Sequence, residues 1–466
     1  MKIKDLVGKK IIFLGLGMEN ASLLRFLLRK EIEADMVIAD PQPEKKLIAR
    51  LSPLFKLAEE KNIKLEFRSG RSYDWYLGDF NLVFRSPGYP LFSPSLKSAQ
   101  KKGTEVSSPM KLFFSLSPTS NLIGVTGTKG KGTTSSLIYE ILQRAGKEVW
   151  LGGNIGIPPF DFLEEIKRNS WVVLELSSFQ LEDMTQSPKI AVITNLYKEH
   201  LRASDPHNPN YHKKLKDYWK AKLNILKYQK KGDKAIVNKN IERFVSAYNP
   251  LGKLITFSRL DWESKLFGEH NQENVAAAYE AARALNIKKE TIKKAIKNYQ
   301  PLEHRLELVL EDKNKVKYFN DSFATTPEAT MTALKAFTSP IILLAGGAEK
   351  NSDFKELAKF IKEKVKFLIL FSGQASPRLR KEVKNSGFSA SKIKTAYNMK
   401  EAVKLARKKR SYGDIVLLSP ACASFGLFKN YKQRGELFKK EVKKQPAVRR
   451  VVGRQARRPL VFKKRH

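Results

Sequence analysis

The run Gly124-Val125-Thr126-Gly127-Thr128-Lys129-Gly130-Lys131-Gly132-Thr133-Thr134 carries the residue types of a phosphate-binding loop. Gly127, Gly130 and Gly132 let the backbone come close to an anion, so that amide N–H groups and the start of the next helix point at it, and Lys131 adds a point charge. Gly132 stands where the general motif has Ser or Thr, so the first hydroxyls able to reach Mg²⁺ are those of Thr133 and Thr134. The same residues would also make a glycine-rich structural turn. The loop alone argues for nucleotide phosphate but not for any particular reaction.

Chemistry at such a loop needs a carboxylate, because Mg²⁺ in phosphoryl-transfer sites takes one or two carboxylates besides phosphate oxygens. Glu175 follows the apolar run Trp171–Leu174, and His200 follows the run Ile190–Thr194. If those runs are parallel strands, both residues stand at the edge that carries the loop. Glu175 suits a helix cap equally well, and an isolated histidine such as His200 is often structural. Lys222 shares a helical face with Tyr218 and is otherwise one lysine among many. Asn271 and Asn274 open an Ala-rich helix, where they can cap it or read a purine edge.

The elements that must position these residues alternate between short β-rich runs and amphipathic helices, the pattern of an α/β protein with doubly wound, mostly parallel sheets. Near the N-terminus a strand over Lys9–Leu14 leads into Gly15-Leu16-Gly17-Met18-Glu19-Asn20, a helix over Ala21–Arg29 and a strand over Met36–Ala39 that ends at Asp40. This unit is Rossmann-like, but Asn20 replaces the third fingerprint glycine, so NAD binding is poorly supported. Ser86-Pro87-Gly88 makes a second tight turn after a strand, and Ser/Pro-containing connections between Thr104 and Pro118 mark a junction. Strands over Ile341–Leu344 and Ile415–Leu418 belong to a third α/β unit. The expected division is a Rossmann-like domain over 1–108, a central ATPase-type domain over 109–301, a second Rossmann-like domain over 302–444 and a disordered basic tail over 445–466.

The chain's 466 residues exceed one core and suit about three domains at roughly 150 residues each. The sequence has no apolar run of about 18 residues and no signal-peptide pattern at its start, and its single cysteine, Cys422, rules out an internal disulfide and a cysteine metal cluster. A cytoplasmic protein is expected. Lys and Arg number 87 against 47 acids, a net charge of +40 that attracts polyanions. Most of the lysines fall on polar helix positions, as a solvated surface would have them, whereas the acid-free tail is a separate candidate for polyanion contact.

Taken together, these stretches resemble the Mur ligase family over about residues 8–441. The likeness is carried by Thr126-Gly127-Thr128-Lys129-Gly130-Lys131, Gly152-Gly153-Asn154-Ile155-Gly156, Glu175 to Glu182, Gly268-Glu269-His270-Asn271-Gln272, His304-Arg305, Asn320-Asp321-Ser322 and Leu418 to Ser424. Phe428-Lys429-Asn430-Tyr431 and Gln433-Arg434-Gly435 then follow the pattern of the branch that adds D-glutamate to UDP-N-acetylmuramoyl-L-alanine.

The resemblance implies an ATP-dependent amide ligase of peptidoglycan precursor synthesis, acting through an acyl phosphate as a monomer. It implies ATP and two Mg²⁺ ions, with phosphate held by Gly127 to Thr134, metal by Thr133, Glu175, His200 and Lys222, and the remainder of the nucleotide by Asn274, Arg305 and Asp321. Lys222 matches a lysine that CO₂ carbamylates. Asn154 and His200 would face the muramoyl-alanine end of the acceptor, and Met18, Asp40, Ser86 and Gly88 its UDP end; Lys350, Ser424, Phe425 and Tyr431 would bind D-glutamate. Three departures stand out: Phe323 replaces a lysine usual after Asp-Ser, Gly132 matches the related folylpolyglutamate synthases, and Asp40 is followed by Pro41-Gln42 in place of Thr-Arg. Alternatives are a folylpolyglutamate-type ligase with another acceptor, and a nucleotide-dependent polyanion-binding protein.

Overall fold

The computed structural model describes residues 1–154, 156–198, 201, 210–349 and 351–444. His200, Lys350 and the basic tail 445–466 lie outside the described residues. The chain divides into two compact units. One comprises Met1–Leu306 with Thr332–Thr338 and a short stretch ending at Asp353, and the other Glu307–Met331, Ser339–Glu349 and the chain from Phe354 on.

The first unit holds two parallel sheets among its described residues. Strands β1 (Lys10–Leu14), β2 (Asp35–Asp40), β3 (Leu65–Ser69), β4 (Leu82–Arg85) and β5 (Glu105–Ser107) pair in the order β3-β2-β1-β4-β5. Strands β6 (Leu122–Thr126), β7 (Val149–Gly153), β8 (Trp171–Glu175), β9 (Ile190–Ile193), β10 (Lys234–Asn238) and β11 (Lys253–Phe257) pair in the order β11-β10-β9-β6-β8-β7. The central strands are apolar on both faces, as parallel strands covered by helices on each side must be. One buried cluster runs from Ile11, Phe13 and Phe84 of the first sheet through Met110 and Phe113 to Leu174 and Ile193 of the second, so the two sheets share a core.

The helix over Met18–Arg29 starts three residues earlier than the sequence suggests, with Gly17 as its N-cap. Asn20, in the place of the missing fingerprint glycine, is fully buried and sends its amide to the carbonyls of Gly15 at 2.8 Å and Phe84 at 3.1 Å, tying the ends of β1 and β4 together.

In the second unit, β12 (Glu307–Glu311), β13 (Lys317–Asn320), β14 (Ile341–Ala345), β15 (Val365–Phe371), β16 (Ile393–Ala396) and β17 (Ile415–Leu418) pair in the order β12-β13-β17-β14-β15-β16. Only the β12–β13 pair of this sheet is antiparallel.

Gly124 opens the motif in the sequence but lies inside β6, where it serves packing. A β-carbon there would come within 2.8 Å of Pro188 Cγ, 3.0 Å of Ile225 Cδ1 and 3.1 Å of Leu176 Cδ1. The helix Leu215–Lys227 therefore packs directly on bare backbone. Gly124→Ala is expected to destabilise this unit by about 1–3 kcal/mol through overpacking, measured as a shift in the urea midpoint at unchanged slope.

Candidate functional site

The phosphate-type loop sits between β6 and the helix Lys131–Arg144 and is held from beneath by the end of β9. Thr194 Oγ1 donates to the Lys129 carbonyl at 2.6 Å, and Asn195 accepts from the Lys129 amide at 2.8 Å. Gly130 takes φ +83° as the helix N-cap, and a β-carbon there would fall 2.1 Å from Asn274 Oδ1. Only glycine satisfies both that conformation and that approach. Asn274 in turn accepts from Thr134 Oγ1 at 3.3 Å and donates to Asn271 Oδ1 at 2.9 Å, so the helix Glu269–Arg283 is fitted to the loop. His270, at the start of that helix, is pulled down to about 4 by burial, which keeps its ring neutral.

The strand register brings the carboxylate to the loop. Glu175 pairs with Val125 on one side and with Gly153 on the other, so β6, β7 and β8 end level with one another. Glu175 is 3% exposed; its Oε1 lies 3.8 Å from Lys131 Nζ and its Oε2 accepts from Asn154 Nδ2 at 3.0 Å. Thr133, in the first turn of the loop helix, is buried.

Lys222 arrives from the helix packed on Gly124. Its Nζ donates to the Gly127 carbonyl at 2.8 Å and lies 4.8 Å from the centre of the Tyr218 ring, whose hydroxyl donates to Thr128 Oγ1 at 3.1 Å. Lys131, Glu175, Asn154, Thr133 and Lys222 thus converge on one sheet edge.

The turn residues of the first sheet border the segment that leaves Glu175. Both Asp40 oxygens accept backbone amides, from Leu16 at 2.8 Å and Gln42 at 2.9 Å, which shapes the β1 turn. Ser86 is buried, whereas Met18 is 61% exposed. Gln180 uses its carbonyl to cap Ser177 N at 2.7 Å and its amide to reach Glu19 Oε1 at 2.6 Å. Glu19 is partly exposed as a residue, but its Oε2 is covered and finds no hydrogen-bond partner among the described residues. Burial, aided by the negative charge of Glu175 and opposed by the Gln180 hydrogen bond and Arg85, pushes its carboxyl up to about 7.

In the second unit, Asp321 accepts from Ser419 Oγ at 2.8 Å just beyond β13. Arg434 is fully buried and clamps the adjacent turn by donating to Ser322 Oγ at 3.0 Å, the Ser322 carbonyl at 2.8 Å and the Cys422 carbonyl at 3.2 Å. Phe323 stands edge-on to Tyr431 with ring centres 5.0 Å apart. Ser424 is buried and Phe425 is 59% exposed. Arg305 belongs to the first unit and comes directly after the buried His304.

Three family models match the chain in order: the Mur ligase MurD-like N-terminal domain over 9–108, the Mur ligase middle domain over 125–261 and the Mur ligase glutamate ligase domain over 304–422. A UDP-N-acetylmuramoylalanine–D-glutamate ligase of Acetivibrio thermocellus is 38% identical, with 94% of this chain and 97% of that protein covered. Its counterpart in Clostridium kluyveri is 37% identical over 93% and 96% of the two chains. The chain belongs to the Mur ligase family. Among solved structures, the UDP-N-acetylmuramate–alanine ligase of Thermotoga maritima aligns at TM-score 0.56 and 18% identity, covering 93% of this chain and 99% of that one. The MurF ligase of the same organism, in complex with ADP, aligns at 0.57 and 15%, covering 95% and 96%. These distant likenesses confirm the Mur ligase fold.

Sequence reasoning missed Thr194 and Asn195 as the loop's support, and also the buried Arg85 and His212 with the half-buried Glu182 between them. The available signal was an Asn or Arg at the end of an apolar strand run, which is weak on its own. Glu19 yields a test of the seam between the two sheets. A carboxyl raised from 4.5 to about 7 binds its proton more tightly when folded. Its stabilising contribution is therefore complete below 4.5 and is lost as pH rises through about 7. Glu19→Gln is expected to gain up to about 3 kcal/mol over the wild type near pH 8, a difference that closes toward pH 4.5, measured by denaturant titration across that range.

Proposed function

We propose that this Mur ligase joins D-glutamate to UDP-N-acetylmuramoyl-L-alanine with conversion of ATP to ADP and phosphate. The observation that carries the assignment is the identity of 38% to a ligase of that name across 94% of the chain. The acceptor carboxylate takes the γ-phosphoryl group to give an acyl phosphate and ADP. The D-glutamate amine then attacks the acyl carbon, forms the amide and expels phosphate. Such transfers depend on positioning and charge neutralisation more than on covalent help from the protein.

The parts proposed for individual residues combine the family resemblance with the surroundings of those that the structure describes. The amides of Gly127 to Gly132 and the start of the helix Lys131–Arg144 would cradle the phosphates, with Lys129 and Lys131 adding charge and Thr134 closing the loop. Asn274, fitted against Gly130, would meet the adenine, and Arg305 and Asp321 the phosphate and ribose. The buried carboxylate of Glu175 and the Thr133 hydroxyl suit Mg²⁺, a hard cation that takes oxygen donors, and His200 is proposed beside them. The ion, when bound, neutralises charge on the transferring phosphoryl group. A carbamate at Lys222 and a second Mg²⁺ are proposed from the family resemblance; Lys222 is 2% exposed and its Nζ lies beside the loop at the Gly127 carbonyl. Met18, Asp40, Ser86, Gly88 and Asn154 are proposed for the UDP-linked acceptor, and Lys350, Ser424, Phe425 and Tyr431 for D-glutamate.

We further propose the division into 1–108, 109–301, 302–444 and a tail over 445–466, a monomeric cytoplasmic enzyme, and the tail as an accessory polyanion contact. Among the described residues no helix is long and apolar enough to cross a membrane.

Phosphate release from ATP and UDP-N-acetylmuramoyl-L-alanine is expected to require D-glutamate, with L-glutamate and other amino acids inactive. No D-glutamate-dependent release would refute the assignment. Lys131→Met should lower kcat by about 10²-fold or more, read in the same assay. With ¹³C-bicarbonate, the wild type should show a carbamate carbon resonance that Lys222→Arg lacks.

A further inference from the structure

Arg85 ends β4 and directly precedes the Ser86-Pro87-Gly88 turn, yet it is fully buried. An unpaired guanidinium inside a protein is strongly disfavoured, so its partners show what it holds. On the near side, Nη1 donates to the Tyr89 carbonyl at 2.8 Å and closes the turn. On the far side, Nη2 donates to the Phe179 carbonyl at 2.9 Å and to Asp183 Oδ1 at 3.3 Å, and Nη1 lies 3.2 Å from Glu182 Oε1. One planar fork therefore grips the turn of the first sheet and the segment that leaves Glu175 in the second.

His212 braces the same point. It is 4% exposed, its ring lies parallel to Phe179 at 4.8 Å, Nε2 shares a 2.9 Å hydrogen bond with Ser178 Oγ, and Nδ1 lies 3.9 Å from Glu182 Oε2. Asn210, close by in sequence, donates to the Pro87 carbonyl at 2.7 Å. The stretch then enters the helix on which Tyr218 touches Thr128 of the phosphate loop.

We propose that Arg85, braced by Glu182 and His212, is a positioning residue that sets the separation between the acceptor-side turn at Ser86–Gly88 and the loop and carboxylate that handle phosphate. This role rests on the acceptor and phosphate assignments proposed above. Phosphoryl transfer to a carboxylate requires the two reactants at contact distance, and a misplacement of about 1 Å can lose on the order of 10²-fold in rate. A lysine at 85 would keep the charge but could not reach both sides, since it lacks the fork.

The test compares Arg85→Lys and His212→Phe with Lys131→Met and Glu175→Gln in the full chain, measuring kcat, KM for ATP and for the acceptor, and melting temperature. His212→Phe retains the stacking surface on Phe179 and removes both ring nitrogens, so it carries the test should Arg85→Lys fail to fold. The expected result is a fall in kcat of about tenfold or more for Arg85→Lys and several-fold for His212→Phe, with KM for ATP within about twofold. The double variant should fall little further than the worse single variant, because the two side chains act on one junction. Wild-type kcat in the folded variants, a loss confined to KM for the acceptor, or a loss matching the unfolded fraction would each overturn the proposal. If Lys131→Met and Glu175→Gln abolish turnover while Arg85→Lys and His212→Phe do not, only the positioning role fails. If Lys131→Met and Glu175→Gln stay active, the site assignment itself fails.

Discussion

The site depends on how closely one helix approaches one strand. Gly124 exposes bare backbone at the middle of β6, and Ile225, Leu176 and Pro188 fill the space a side chain would take. The helix runs back along the strand, so that Ile225 meets Gly124, Lys222 meets Gly127 and Tyr218 meets Thr128. A few tenths of an ångström at the first contact would carry through a stiff helix to the other two. Packing density in the core and ligand geometry at the loop are therefore one constraint.

Charge is handled differently at the surface and inside. The net +40 of the whole sequence belongs largely to solvated lysines, whereas the buried seam between the two sheets of the first unit is rich in acids. Glu182 and Asp183 meet Arg85 there, His212 lies beside Glu182, Glu19 accepts from Gln180, and burial pushes both Glu19 and Glu182 up to about 7. A junction built this way gains direction from its hydrogen bonds and little net stability from its charges, since desolvation consumes much of the attraction.

The strand ends were legible in the sequence because parallel strands buried on both faces read as short apolar runs, and the residues just after each run must lie at the same edge. That logic reached Glu175 and the loop, and the family resemblance added Asn154 and Lys222, which spacing alone did not distinguish. At two positions the sequence alone did not show what the residue does. Gly124 looks like a loop glycine but is a packing glycine, and Asn20 looks like a broken fingerprint but bonds the carbonyls of Gly15 and Phe84. The Arg85 cluster stayed hidden because its members are far apart in sequence and their buried state depends on the tertiary contact between two sheets. Glu175, by contrast, ends an apolar strand run, and the register that pairs it with Gly153 brings the next residue, Asn154, to its carboxylate.

The span of the Arg85 contacts also bears on how the molecule is made. The first sheet has all five of its strands once Ser107 has emerged, but the Asp183 carboxylate that Arg85 binds comes 98 positions after it. A nascent first sheet therefore presents a guanidinium without its acids, together with apolar residues such as Phe26, whose partner Phe160 has not yet been made. Domains form largely in order of synthesis, and surface exposed in the interval is what aggregates or recruits chaperones. The feature that joins the two sheets of the first unit is thus left uncovered while the ribosome is still midway through the second sheet.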